Sequence, residues 1–248
     1  YRTRCIGVEA AKGDYIGWVD SDDWVDAKMF EKMLEATNNG NIDIVVCDYV
    51  EYHLGRTTQI QFKSSGTPIE CIERYRLGMF FSGTLWNQIF RRDLLVNHMH
   101  DIIPTNYSED TYIIWHIYAH AHSIAYVNSS LYHYDKRNQK SLMHTRAVSK
   151  NAWKEQEKNL ENIETKLYSS SKEYQRSLYY LMFWRKYEYK SAFETPALFY
   201  KTFRRASWSI LYFPGMTIFN KLKIFIMNNC YPLFWIYNKR MFHAVSNN

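Results

Sequence analysis

The sequence predicts an α/β protein, and three observations carry that expectation. Two apolar runs suited to buried strands, Tyr15–Val19 and Ile42–Cys47, flank a stretch with helical periodicity, Ala27–Thr37. The connections between these segments are short, which is typical of strand-helix-strand units and favours parallel pairing. Hydrophobic residues make up 46% of the 248 positions, enough to build a substantial core.

The other elements of the first 145 residues follow from local signals. A helix over Arg2–Ala11 is expected to stop at Gly13. Asp26 and Ser108 are candidate N-caps, because their short side chains can accept a hydrogen bond from a first-turn amide. Ser108 would begin a helix over Thr111–Ala121. The remaining predicted elements are a loop or hairpin arm over 54–68, a helix over Ile69–Met79, a strand and helix turn within Leu85–Leu95, and short strands at 123–127 and 131–135.

The chain changes character after about residue 145. We predict one region over 1–145 and a second, helical, basic and aromatic-rich region over 146–248, with helices that end at Leu167 and Phe193. Lys and Arg minus Asp and Glu gives −4 for the first region and +10 for the second, and no acidic residue follows Glu194. Such asymmetry favours an anionic partner, either a membrane or a nucleic acid. No nucleic-acid recognition signature supports the second partner, so none is predicted.

The basic tail contains an amphipathic segment. Ile218, Leu222, Phe225 and Ile226 share one helical face, with Lys221 and Lys223 beside it. This pattern predicts peripheral membrane contact through 195–248, although a helical subdomain that packs on the rest of the chain would need the same pattern. Four scattered cysteines without a CxxC motif indicate reduced thiols. We therefore expect a cytoplasmic location, or one at the inner face of the plasma membrane.

Three carboxylates, Asp20, Asp22 and Asp23, follow the strand predicted over Tyr15–Val19. Like charges this close repel one another, and a divalent cation would offset that repulsion. Carboxylate oxygens suit Mg²⁺ or Mn²⁺, which proteins often hold together with a substrate diphosphate. The alternative is that the aspartates cap the next helix and lie in a solvated loop, and the pattern alone leaves both interpretations open.

The segment AAKGDYIGWVDSDDWVD closely resembles the central signature of family 2 glycosyltransferases of the GT-A fold. Three further segments are similar to that family in the same order: LWNQIFRRDLL, SEDTYIIWHI and LYHYDKRNQKSLMH. The resemblance implies that 1–145 is the C-terminal part of a GT-A, Rossmann-like nucleotide-diphospho-sugar transferase domain, of the bacterial surface-polysaccharide type. The family's N-terminal nucleotide-binding strands have no counterpart here, so we expect a longer enzyme and an inactive isolated segment.

The resemblance also implies a reaction and a set of residues. The reaction is inverting transfer of a sugar from a nucleotide-sugar donor to a hydroxyl of a cell-envelope glycan or a lipid-linked acceptor, with Mn²⁺ or Mg²⁺ as cofactor. The alternative is a non-catalytic GT-A-like binding module or membrane-associated remnant. The implied catalytic base is Asp110, with Glu109 beside it. The residues implied for the donor are Asp20, Asp22, Arg4 and Arg137, and those implied for the metal are Asp22 and Asp23. Trp86 and Asn87 are implied for the acceptor, although packing in the core is the favoured alternative for Trp86.

Overall fold

The computed structural model describes residues 1–62, 66–73, 83–137, 150–167, 171–189, 192–193, 195–212 and 217–230. The chain divides into two compact units, Tyr1–Arg146 and Ala147–Asn248. The first unit mixes strands and helices, and the second is helical in its described parts.

The first unit alternates helices with the strands of one sheet. Its helices are α1 (Arg2–Ala10), α2 (Met29–Glu35), α3 (Pro68–Glu73), α4 (Arg92–His98) and α5 (Glu109–His120). Its strands are β1 (Tyr15–Gly17), β2 (Trp24–Val25), β3 (Ile44–His53), β4 (Arg56–Ile60), β5 (Gln88–Arg91) and β6 (Ile124–Asp135).

The six strands form one mixed sheet in the order β1-β5-β3-β6-β2, with β4 also paired to β3. Among the strands of the described residues, β3 and β6 pair in parallel and the other pairs are antiparallel. The α/β class is therefore confirmed. The two strands expected to pair in parallel, β1 and β3, are not neighbours, because β5 lies between them and is antiparallel to both.

The core lies where the sheet meets its helices. The first half of β3 is fully covered, and its Val45 and Cys47 pack in one cluster with Met29 and Met33 of α2. Most of α5 is also buried, so this helix is held along nearly its whole length. A rigid α5 matters for the site because its first turn carries two acidic residues.

Several local expectations need correction. Helix α2 begins after Lys28, and Asp26 instead accepts a hydrogen bond from the Lys28 amide at 2.8 Å. The Ser108 side chain makes no capping hydrogen bond, and its backbone is left-handed, with φ of 55°. The two short strands predicted over 123–135 form one strand, β6, and the 54–68 arm contains β4, whereas residues 74–79 of the predicted third helix lie outside the described residues.

The second unit contains helices α6 (Lys150–Lys166), α7 (Lys172–Glu188), α8 (Pro196–Lys201), α9 (Arg204–Ser207) and α10 (Ile218–Asn229), with a 3-10 turn at Trp208–Tyr212. Three of the helices begin at a residue whose side-chain hydroxyl accepts a hydrogen bond from a first-turn amide: Ser171, Thr195 and Thr217. Within the described residues, none of these helices has the length and apolar character that a membrane span requires.

Candidate active site

Arg4 on α1 lies among three carboxylates that come from separate parts of the sequence. Its guanidinium nitrogens are 3.1 Å from Asp110 Oδ1, 3.7 Å from Glu109 Oε1 and 3.9 Å from Asp20 Oδ1. The Arg4 guanidinium also lies over the Trp18 ring, 5.8 Å from its centroid. The structure therefore brings together four of the residues predicted to act at one site.

Each member of this cluster is placed by a regular element. Asp20 follows β1, an edge strand of the sheet that pairs with β5. Glu109 and Asp110 occupy the first turn of α5, where the positive end of the helix dipole favours negative charge. The left-handed backbone of Ser108 precedes the first turn of α5. Both acidic side chains of that turn lie beside the Arg4 guanidinium.

Asp110 is the most perturbed carboxyl of the cluster. Burial raises its pKa to about 7, and Glu109 and Asp20 add repulsion, whereas Arg4 opposes the rise. Its Oδ1 atom is fully covered and accepts no hydrogen bond, so the approach of Arg4 is an ion-pair contact without hydrogen-bond geometry. The positive end of the helix dipole and Arg4 both favour the ionised form of Asp110, whereas burial favours the protonated form.

Tyr132 on β6 connects the two ends of the aspartate turn. Its hydroxyl donates to Asp23 Oδ2 at 2.7 Å and accepts from the Asp20 amide at 3.1 Å. The other Asp23 oxygen accepts from the Asp135 amide at 2.8 Å. Burial raises the pKa of Asp23, and the Asp135 amide and Tyr132 hydroxyl act in the opposite direction. The turn is thus fixed to the end of β6 by three hydrogen bonds.

Asp22 differs from its neighbours because its side chain is exposed at the tip of the turn. Carboxylate oxygens are the ligands that Mg²⁺ prefers. Asp22 is the more accessible candidate, because Asp23 is half-buried and is held by the Tyr132 hydroxyl and the Asp135 amide. Among the described residues, no three His, Cys, Asp or Glu side chains are arranged to hold an ion by themselves.

Arg137 lies just beyond β6 and is tied to the same strand end. Its Nε and a terminal nitrogen each donate to Asp135 at 2.8 Å, which lowers the pKa of that carboxyl to about 2. The Arg137 guanidinium also lies 5.7 Å from the centroid of the Tyr52 ring. The structure therefore places Arg137 next to the residue that anchors Asp23, and does not place it among the Arg4 contacts.

Trp86 and Asn87 lie inside the core. Trp86 stacks on Tyr132 with ring centroids 4.2 Å apart and meets Tyr49 edge-on. Asn87 is fully buried, and its side chain donates to the Cys47 carbonyl at 2.8 Å. Packing accounts for the described contacts of both residues. Their assignment to an acceptor site stays a prediction. Because both side chains are buried, they would influence an acceptor through the residues that pack on them.

Sequence reasoning missed Tyr132 and Asp135 as parts of the site. Both belong to the segment LYHYD, in which alternation places Tyr132 and Tyr134 on one face of a strand. A tyrosine one strand away from an aspartate turn is a candidate hydrogen-bond donor to it. That inference required the pairing of β2 with β6, and the two-residue β2 was not predicted.

Residues 2–98 match the family model "Glycosyl transferase family 2". The family 2 match includes Arg4, the aspartate turn and the core pair Trp86 and Asn87, and it ends before Glu109 and Asp110. Residues 2–98 are therefore similar to family 2 glycosyltransferases.

Two proteins of Bacillus subtilis (strain 168) are similar in sequence. The putative glycosyltransferase EpsH is 27% identical over 135 residues, which is 52% of this chain and 39% of EpsH. The uncharacterized glycosyltransferase EpsJ is 29% identical over 147 residues, which is 56% of this chain and 42% of EpsJ. The chain therefore spans about two fifths of the length of these two relatives.

A solved structure matches nearly the whole chain. S. aureus TarS 1-349, in complex with UDP-GlcNAc, superposes with a TM-score of 0.59 over 98% of this chain and 70% of its own. The sequences are 17% identical, so the similarity concerns the fold. The protein has the GT-A fold.

Proposed function

We propose that the protein is an inverting, metal-dependent glycosyltransferase that moves a sugar from a nucleotide-sugar donor to a hydroxyl of a cell-envelope glycan or a lipid-linked acceptor. The observation that carries this proposal is the cluster in which Arg4 holds Asp20, Glu109 and Asp110 within 4 Å. One of its members, Asp110, has a pKa near 7, which suits a general base at neutral pH.

The transfer step moves one proton and exchanges one bond. The acceptor oxygen attacks the anomeric carbon of the donor sugar as the bond from that carbon to the diphosphate oxygen breaks. The Asp110 carboxylate accepts the hydroxyl proton, because an unassisted hydroxyl is a poor nucleophile. Arg4 holds the carboxylate in place and favours its ionised form at the start of the step. The nucleoside diphosphate leaves from the opposite face of the sugar, which inverts the anomeric configuration.

The aspartate turn would hold the donor diphosphate through Mn²⁺ or Mg²⁺. Asp22 is the carboxylate best placed for that ion, and Tyr132 keeps the turn in one conformation through Asp20 and Asp23. A bound divalent cation would offset the negative charge of the leaving diphosphate. Asp20 and Arg137 are the further donor contacts of the proposal. The proposal includes a cytoplasmic location at the inner face of the plasma membrane, because the donor and the acceptor would meet there.

Replacing Asp22 with Asn in the full-length natural protein tests the metal role. Isothermal titration calorimetry with UDP, in the presence of Mn²⁺, should show affinity lowered at least roughly tenfold, because the neutral amide is a weaker ligand for a hard cation. Chelation of Mn²⁺ with EDTA should lower the affinity of the unchanged protein to a similar value.

Asp14→Asn is the matched control, because Asp14 is an exposed aspartate at the other end of β1. It removes the same charge without touching the turn, so UDP affinity should stay as it was. Equal affinity in Asp22→Asn and the unchanged protein, with the same dependence on Mn²⁺, would contradict the proposal.

Tyr132→Phe tests whether the turn must be anchored. The change removes one hydroxyl and its two hydrogen bonds, and leaves the stacked Trp86 contact in place. We expect the free energy of unfolding to fall by about 1–2 kcal/mol, because two hydrogen bonds are lost. The affinity for UDP in the presence of Mn²⁺ should fall several-fold, because a freed turn must be ordered on binding. Tyr134→Phe, which keeps the ring contacts with Trp86 and Lys136, should change neither measurement by much. Identical UDP affinity in the two variants would show that the anchor is dispensable for the donor.

A further inference from the structure

The second unit exposes a row of large apolar side chains on α10. Ile218 is 77% exposed, Phe219 is 76% exposed, and Leu222 and Ile226 are each 47% exposed. At about 100° per residue, these four positions occupy an arc of roughly 100° on the helix. Side chains of this kind are costly to leave in water, and a contiguous group of them marks an interaction surface.

An exposed tryptophan extends the row beyond the helix. Trp208, in the turn that packs against α10, is 52% exposed, and its ring meets Phe225 with centroids 4.7 Å apart. Leu211 of the same turn is also exposed. We call this group the apolar row: Trp208, Leu211, Ile218, Phe219, Leu222 and Ile226.

Basic residues accompany the apolar row. Arg204 and Arg205 are exposed on α9, which also packs against α10, and Lys221 lies on α10 itself. Lys201 is exposed one helix earlier. Residues 195–230 contain five Lys or Arg and no Asp or Glu. The surface around the apolar row is therefore positively charged.

We propose that the apolar row docks the protein on an anionic lipid bilayer, with α10 lying in the plane of the interface. A helix with an apolar arc and basic neighbours buries the arc among acyl chains while its cations face lipid headgroups. Tryptophan is enriched at that depth because its ring is apolar and its N–H can reach water. Protein-protein interfaces are depleted in lysine, whereas residues 195–230 contain Lys201, Lys221 and Lys223. The inference stands independently of the catalytic proposal.

The experiment is co-sedimentation of the full chain with vesicles, without any sugar donor. Vesicles of phosphatidylcholine mixed with phosphatidylglycerol should retain the protein, and vesicles of phosphatidylcholine alone should retain much less. Raising NaCl should weaken retention, because the attraction to anionic headgroups is screened. Replacing Ile218, Phe219 and Leu222 with Ser should lower the partition coefficient roughly tenfold or more, and so should changing Arg204, Arg205 and Lys221 to Gln.

Two control variants separate docking from general effects. Leu54→Ser removes an apolar side chain that is 74% exposed in the first unit. A triple change of the exposed Lys12, Lys154 and Lys158 to Gln removes the same charge as the basic variant. Both controls should bind vesicles like the unchanged protein. A monomer-dimer equilibrium that is lost in the Ser variant would identify a second copy as the occupant and overturn the proposal. Equal retention of the protein by neutral and anionic vesicles would also overturn it. So would equal retention of the apolar-row and basic variants and their controls.

Discussion

Replacing Asp110 with Asn is expected to lower sugar transfer roughly a thousandfold while making the folded protein more stable above neutral pH. The loss follows from removing the proton acceptor, since general bases contribute roughly a hundredfold to ten-thousandfold to such steps. Donor binding should change little, because the change leaves the hydrogen bonds that anchor the aspartate turn to Tyr132 in place.

The gain in stability follows from the raised pKa. The folded protein keeps a proton on Asp110 up to about pH 7, whereas an unfolded aspartate loses it near its usual value of 3.8. Between these values the folded state binds more protons, so its stability falls as the pH rises. The full cost corresponds to at most about 4 kcal/mol above pH 7. The Asn variant does not ionise, and it should therefore unfold at a higher temperature at pH 8 and show little advantage at pH 4.

Asp93→Asn is the matched control for this experiment. Asp93 lies in the first turn of α4, as Asp110 does in α5, but it is exposed. The control should transfer sugar normally and gain no stability at pH 8. The unchanged protein should lose transfer as the pH falls below about 7, because Asp110 becomes protonated. Transfer by Asp110→Asn within tenfold of the unchanged protein would remove Asp110 as the base.

Sequence patterns predicted the parts of the site that depend on local order. The aspartate turn after a strand, and the acidic first turn of α5, both follow from periodicity and neighbouring residues, although β1 is a half-buried edge strand and not the buried strand predicted. The resemblance to family 2 glycosyltransferases added Arg4 and the reaction, and the family match over 2–98 supports that class.

The charge state of the site could not be predicted in the same way. The pKa of Asp110 depends on how much water reaches it, and that is decided by α1 and by residues more than 80 positions away. The role of Tyr132 likewise depends on β6 lying beside β2, a pairing between segments more than 100 residues apart. The placement of Trp86 was open for the same reason, since an aromatic residue near a site can either line it or pack beneath it.

Replacing Arg4 with Gln is expected to destabilise the protein and to shift the pH dependence of transfer upward. Arg4 is the charge that opposes the raised pKa of both Asp110 and Asp20. Without it the pKa of Asp110 must rise further above 7, so a smaller fraction of the base is ionised at neutral pH. Transfer at pH 7 should fall roughly a hundredfold, and part of that loss should be recovered at pH 9.

Stability should fall in a pH-dependent way for the same reason. Above pH 7 the variant has to ionise three neighbouring carboxyls without Arg4, and because these carboxyls are partly exposed we expect a loss of about 1–3 kcal/mol. At pH 5 Asp110 is protonated in both proteins, so the loss should be smaller. Arg2→Gln removes the same charge from an exposed position on α1 and should change neither stability nor the pH profile.

Combining the two changes isolates the contact between Arg4 and Asp110. If the 3.1 Å contact is the main interaction of Arg4, Arg4→Gln should destabilise the Asp110→Asn protein at pH 8 much less than it destabilises the unchanged one. Thermal unfolding of the four proteins at pH 5 and pH 8 gives this coupling free energy directly. We expect it to be at least about 1 kcal/mol at pH 8 and smaller at pH 5, because one partner is neutral there. Equal coupling at the two pH values, or an unmoved pH profile in Arg4→Gln, would show that Arg4 does not set the charge state of the base.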